Sequence, residues 1–124
     1  MYINPLSKPI AQPKPRPTAL DRADRRKART ALDRRESAKV RARSGGRCEV
    51  VEEVPGRCSW SASEIHHMIG GRCRSRIAAS AKAEHKQHLC RDHHLGITGE
   101  VGGKRFARLG GPVPHWTDTY RTLR

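Results

Sequence analysis

The sequence predicts a small α+β domain over 45–110, preceded by a basic helix and a proline-rich arm, and three observations predict it. The first is composition. Of 124 residues, 35% are hydrophobic and 4% aromatic, too little apolar surface for so short a folded unit to rest on burial alone, so bound metal is expected to supply part of its stability. The second is a change of pattern along the chain, from a long charged run with helix signals at both ends to short apolar runs separated by glycines. The third is crowding of imidazole. Six of the seven histidines fall in Glu64-Ile65-His66-His67-Met68 and in His85-Lys86-Gln87-His88-Leu89-Cys90-Arg91-Asp92-His93-His94.

The elements follow in order. Residues 1–17 carry Pro5, Pro9, Pro13, Pro15 and Pro17 with Lys8, Lys14 and Arg16 between them, the composition of an extended, polyproline-like arm. Thr18 reads as a helix N-cap, with Asp21 three residues on and Asp24 in the first turns, where negative charge suits the helix dipole. From there a helix over 18–44 is expected to stop at Gly45-Gly46, with Asp21–Arg25 and Arg29–Asp33 spaced to pair across a turn. Its apolar positions are mostly alanine, so the stripe that docks it is thin. In the compact part, Val50-Val51 and 62–67 read as short strands, Gly70-Gly71 as a turn, and 72–84 as a long basic loop with one helical turn near 77–83. A strand through His88-Leu89-Cys90 leads into a short helix from Arg91, weakened by Gly96, Gly99, Gly102 and Gly103. The tail, 111–124, presents Trp116, Tyr120 and Leu123 at i, i+4, i+7, the spacing of a helical docking stripe.

Charge narrows the partners. The formal net charge is +14, and between residues 14 and 47 there are 13 positive side chains against four negative ones. A charge run is commonly a solvated face, but this excess favours an arm and helix that track phosphates, with Arg25, Arg26 and Arg29 among the contacts. A membrane partner is set aside, because no run of about 18 apolar residues occurs. The first residues lack the charged start and apolar stretch of a secretory signal, which leads to the expectation of a cytoplasmic, reducing setting and of cysteines present as thiolates or buried thiols.

Two constellations carry chemistry. Cys48 and Cys58 bracket a hairpin-like segment, and Cys90 and His93 stand three apart, so that both can face one ion from the turn that opens a helix. Three sulfurs and one imidazole make a closed tetrahedral structural zinc site; Cys73 is the spare and an alternative fourth ligand to His93. The opposing reading is that these cysteines are small core hydrophobes. The second constellation is His66, His67 and His94. Neighbours on a strand point to opposite faces, so one of His66 and His67 is expected to bind metal and the other to activate water. Metal-assisted chemistry on a polyanion means a nuclease.

On these residues the chain resembles the HNH endonucleases, of the small stand-alone kind found in bacteriophages and prophages. The resemblance covers about 45–95 and is carried by Gly46-Arg47-Cys48-Glu49-Val50, by Arg57-Cys58 upstream of Glu64-Ile65-His66-His67, and by His88-Leu89-Cys90-Arg91-Asp92-His93-His94. It implies the ββα-metal (His-Me finger) fold, with His66 as first metal ligand, His67 as general base and His94 as second metal ligand at the helix start. His85 stands where the family has its asparagine and takes over, by position, the hydrogen bond to the loop that orients the base. His93 replaces a usual cysteine, and Thr98 stands where some relatives have a further histidine ligand. The implied reaction is hydrolysis of DNA phosphodiesters, with Mg²⁺ as the ion (Mn²⁺, Ni²⁺ or Zn²⁺ also suit paired imidazoles) and with Arg72, Arg74, Arg76 or Arg105 adding positive charge near the phosphate. The implied partners are double-stranded DNA and, through phage packaging, a terminase, in the host cytoplasm. The opposing class is a non-catalytic, zinc-stabilised DNA-binding module, which has no use for His67. An RNA-binding role is disfavoured by the scarcity of aromatic side chains for base stacking, one Phe, two Tyr and two Trp.

Overall fold

The computed structural model describes residues 12–70 and 74–124. Most of the proline-rich arm, together with Arg72 and the spare Cys73, lies outside the described residues; 12–17 is exposed and irregular. The elements are helix α1 (Ala19–Ser44), strands β1 (Val51–Glu52) and β2 (Glu64–His67), helix α2 (Arg74–Ala81), a 3-10 turn (Ala83–His85), strand β3 (Lys86–Leu89), helix α3 (Arg91–Thr98), and strands β4 (Arg105–Leu109) and β5 (Thr119–Leu123). This is a small α+β fold.

The ends of α1 are those its local signals dictate. Thr18 Oγ1 accepts the Asp21 N–H at 3.1 Å, and the Thr18 N–H donates to the Asp21 carboxylate at 3.1 Å, which closes a capping box. Those bonds hold Asp21 below its ordinary carboxyl value. Gly45 ends the helix in the left-handed region, φ 63°, with its N–H on the Arg41 carbonyl, a conformation that glycine adopts without a Cβ penalty.

Only Ser37, Val40 and Ser44 of α1 are buried, so the helix docks by its C-terminal half alone. Polar bonds do much of the docking. Arg43 grips the carboxylate of buried Glu49 through Nε (2.6 Å) and Nη2 (2.8 Å), donates to the carbonyls of Ala83 and Lys86 at 2.8 and 2.9 Å, and lies 4.1 Å over the Trp116 ring. Ser44 Oγ meets His88 Nδ1 at 2.7 Å. One charge counted toward phosphate contact, Arg43, is thus committed to folding. Asp33 faces away from the expected Arg29 pairing as well: it takes Lys86 Nζ at 2.6 Å and His67 Nε2 at 3.0 Å, because a buried ammonium gains far more from a carboxylate in hydrogen-bond reach than an exposed Arg29 does.

Strands β2 and β3 pair antiparallel, with Glu64 opposite Leu89, Ile65 opposite His88, His66 opposite Gln87 and His67 opposite Lys86. Alternation sends Lys86 and His88 to the α1 side, and Gln87 and Leu89 to the other. The second sheet has the order β1-β5-β4, parallel between β1 and β5 and antiparallel between β4 and β5. Here the tail departs from expectation. Trp116, Tyr120 and Leu123 are not one helical stripe: 119–123 is the central strand of that sheet, and Tyr120 is fully buried with its hydroxyl donating to Gln87 Oε1 at 2.7 Å. The reason is a partner the spacing could not show, β4, which offers five consecutive pairings. The basic loop after Gly71 likewise winds into the two turns of α2.

Cys48, Val50, Leu89, Cys90 and Tyr120 form the core, with Cys58, Ile97 and Phe106 packed against it. Gly96 lets α3 approach β4: a Cβ added there meets the Phe106 ring at 2.3 and 2.4 Å. Gly96→Ala is therefore expected to destabilise the fold by about 1–3 kcal/mol despite alanine's better helix propensity, read as a lower urea midpoint; an unchanged or raised midpoint contradicts this packing.

Candidate metal centre and flanking histidines

Cys48, Cys58, Cys90 and His93 converge on one point, their ligand atoms all within 4.8 Å of one another. The chain brings them together by two local devices. Between Cys48 and Cys58 it doubles back, with Cys58 N–H on the Val50 carbonyl and Glu52 N–H on the Gly56 carbonyl, both at 2.9 Å, which is how a nine-residue gap closes. Cys90 is the N-cap of α3, and His93 lies in its first turn. His93 Nδ1 is 3.2 Å from Cys90 Sγ and 3.6 Å from Cys48 Sγ. A tetrahedral zinc with sulfur at about 2.3 Å and nitrogen at about 2.0 Å sets sulfur and nitrogen about 3.5 Å apart, so the donor set fits such an ion. Burial, joined by the neighbouring thiols, pushes Cys48 up to about 12 and raises Cys58; a cation is what makes thiolates stable in such a place. His93 Nε2 donates to Glu52 at 3.3 Å, the carboxylate–histidine pairing that fixes which nitrogen points at a metal.

One residue on, α3 turns by about 100°, and His94 faces a different site. Its ring lies 5.1 Å from that of His66, tilted by 59°, and its Nδ1 donates to the carboxylate of Glu64. The proton on Nδ1 leaves Nε2 as the ligand nitrogen. Glu64 and His66 share a face of β2, being two apart. Burial pushes His66 down to about 4, helped by His94 and His67, so it stands as neutral imidazole, the form that binds metal. The two expected metal ligands of this second constellation are thus side by side, and two consecutive histidines of α3 are each held by a strand carboxylate. The sequence alone assigns Glu64 no role, although its period-2 relation to His66 is legible there.

His67 is placed differently. It points to the α1 side of β2, its Nε2 on Asp33 at 3.0 Å, beside a groove of about 500 Å³ lined by Arg29, Leu32, Asp33, Ile77 and Ala81 among others. Burial works against the charge on Asp33, but hydrogen bonds from Lys86 and His67 outweigh it and hold the carboxyl below its ordinary value. Among the described residues β2 pairs with β3 alone.

Among the described residues, His85 Nδ1 donates to the Pro114 carbonyl at 2.7 Å, and the His85 backbone carbonyl accepts the N–H of Met68, the residue after His67, at 2.9 Å. The C-terminal segment brings Pro114 there, out of reach of any local pattern. Arg25, Arg26 and Arg29 are exposed on the free half of α1. Arg74 and Arg76 lie in α2, with side chains outside the described residues. Arg105 is exposed at the start of β4 and shares a shallow cleft with Thr98, Gly99 and Glu100, one turn beyond His94 on α3.

Among the described residues, no helix is long and apolar enough to cross a membrane. The chain matches no family model, no curated protein and no solved structure.

Proposed function

We propose that the chain is a metal-dependent endonuclease of the HNH kind that hydrolyses phosphodiester bonds of double-stranded DNA. The observation that carries the reading is the His66–His94 pair, with rings 5.1 Å apart, next in sequence to His67 on the opposite face of the same strand. The order β2–β3–α3 supports the ββα-metal motif, and the Cys48, Cys58, Cys90 and His93 group is read as a structural Zn²⁺ site.

In this reading His66 and His94 hold a divalent ion, Mg²⁺ first, with Mn²⁺, Ni²⁺ and Zn²⁺ as alternatives, which when bound offsets charge developing at the phosphate and on the departing 3′ oxygen. His67 takes the proton from the attacking water, leaving a 5′ phosphate and a 3′ hydroxyl. Glu64 keeps His94 in the tautomer that presents Nε2. Arg25, Arg26 and Arg29 on the exposed half of α1 lie against the phosphate backbone, so binding weakens steeply with salt.

The opposing reading, a zinc-stabilised module that binds DNA without cutting it, is favoured by one observation: the His67 imidazole is already engaged by Asp33, on the face away from His66 and His94. Supercoiled plasmid incubated with the protein and each of the four ions separates the two. The expected result is nicking that EDTA abolishes and that His67→Ala lowers by roughly 10²–10⁴-fold, with DNA binding and thermal melting unchanged. Absence of nicking with every ion, or His67→Ala as active as the parent, overturns the nuclease in favour of the module.

A further inference from the structure

Lys86 has no solvent-exposed surface, yet it carries an ammonium. Its partners all come from α1: Asp33 Oδ1 at 2.6 Å, Ser37 Oγ at 3.0 Å and the Asp33 carbonyl at 3.3 Å. The same Oδ1 accepts His67 Nε2 at 3.0 Å. One carboxylate oxygen therefore joins a buried cation to the imidazole, and the register explains why: His67 and Lys86 are directly opposed across β2 and β3, so their side chains leave the same face of the hairpin, and α1 crosses that face with Asp33 between them. A carboxylate that accepts from one ring nitrogen leaves the other with its lone pair free, and holds the ring in one orientation.

We propose that Asp33 is the positioning residue for the His67 imidazole, so that the basic helix supplies part of the reaction site as well as the DNA-binding charge. The inference rests on His67 being the base. Asp33 accepts the Nε2 proton, and Nδ1 is the atom left to take a proton from water. The simpler role for Asp33, counter-ion to Lys86 and nothing more, makes a different demand: once the ammonium is gone, the carboxylate is dispensable.

The test uses the full chain and three variants. Asp33→Leu alone strands a buried charge and is expected to fold poorly. Lys86→Met removes the cation and keeps the carboxylate, and Asp33→Leu combined with Lys86→Met replaces the pair by apolar groups, which proteins commonly tolerate. Both of these are expected to melt cooperatively. Lys86→Met should nick plasmid within a few-fold of the parent, whereas the double variant should lose on the order of 10²-fold in kcat with KM for DNA unchanged. Nitrogen-15 spectra of the His67 ring give a readout independent of cleavage: the proton sits on Nε2 in the parent and in Lys86→Met, and is shared between the nitrogens in the double variant. A double variant that matches Lys86→Met in kcat, while His67→Ala is inactive, overturns the role of Asp33 and leaves the base standing. His67→Ala nicking at the parental rate overturns both.

Discussion

Cys48→Ser is expected to yield a chain that neither folds at room temperature nor retains zinc. Cys48 is fully buried at the centre of the small core, among Val50, Leu89, Cys90 and Tyr120, and its sulfur faces His93 Nδ1. Structural zinc contributes about 10–16 kcal/mol to domains of this type, against a net stability of about 5–15 kcal/mol for most folded domains, so losing a ligand removes more than the margin. The consequences spread along α3. Cys90 caps that helix and His93 sits in its first turn, so loss of the ion also frees His94 from Glu64 and His66. Metal analysis after dialysis against a weak chelator should find about one zinc per parental chain, and far-ultraviolet circular dichroism should show the variant unfolded. A folded parent without zinc, or a folded Cys48→Ser with the parental melting profile, contradicts the assignment.

The second large effect is expected of Arg43→Ala, at about 3–5 kcal/mol. The guanidinium satisfies a glutamate whose side chain is 2% exposed and two backbone carbonyls besides; with the arginine gone, the Glu49 carboxyl is left buried without its partner. Glu49 also accepts the His88 N–H at 2.8 Å, so the loss propagates into β3. Chemical denaturation checks this. Arg41→Ala, at an exposed position two residues earlier in the same last turn, is the control and should change stability by about 0.5 kcal/mol or less. Equal effects from the two show that α1 is not anchored through Arg43. Removal of 1–44, which spares every expected metal ligand in sequence terms, takes away this anchor and buried Val40 together, so the remainder is expected to be unfolded rather than a smaller enzyme.

Much of the candidate site was legible because its signals are short-range. Cys90 and His93 at i, i+3 on a helix start, His66 and His67 on opposite faces of one strand, and Thr18 with Asp21 at the helix entry each follow from geometry within a few residues. Placing Cys48 with Cys90 took only the donor chemistry, since four such ligands near one another have few other uses. The Pro114 partner of His85 was hidden for the converse reason. The role expected of His85 came from position in a resembling motif, and its ring donates to the carbonyl of Pro114, which no motif includes.

By itself, then, the sequence determined where α1 begins and ends and that Cys48, Cys58 and Cys90 belong to one group, with His93 or Cys73 as the fourth member. Tertiary structure alone decided what Asp33, Arg43 and Tyr120 do. Asp33 looks like an i, i+4 partner of Arg29 until Lys86, 53 residues away, arrives without water. Arg43 looks like one more phosphate contact until Glu49 is buried beside it. Tyr120 looks like part of a helical stripe until β4 offers its open edge. The physical reason is the same in each case: local propensities are worth tenths of a kcal/mol per residue, whereas a buried charge or buried backbone group left unpaired costs several, so the long-range partner wins wherever one is available.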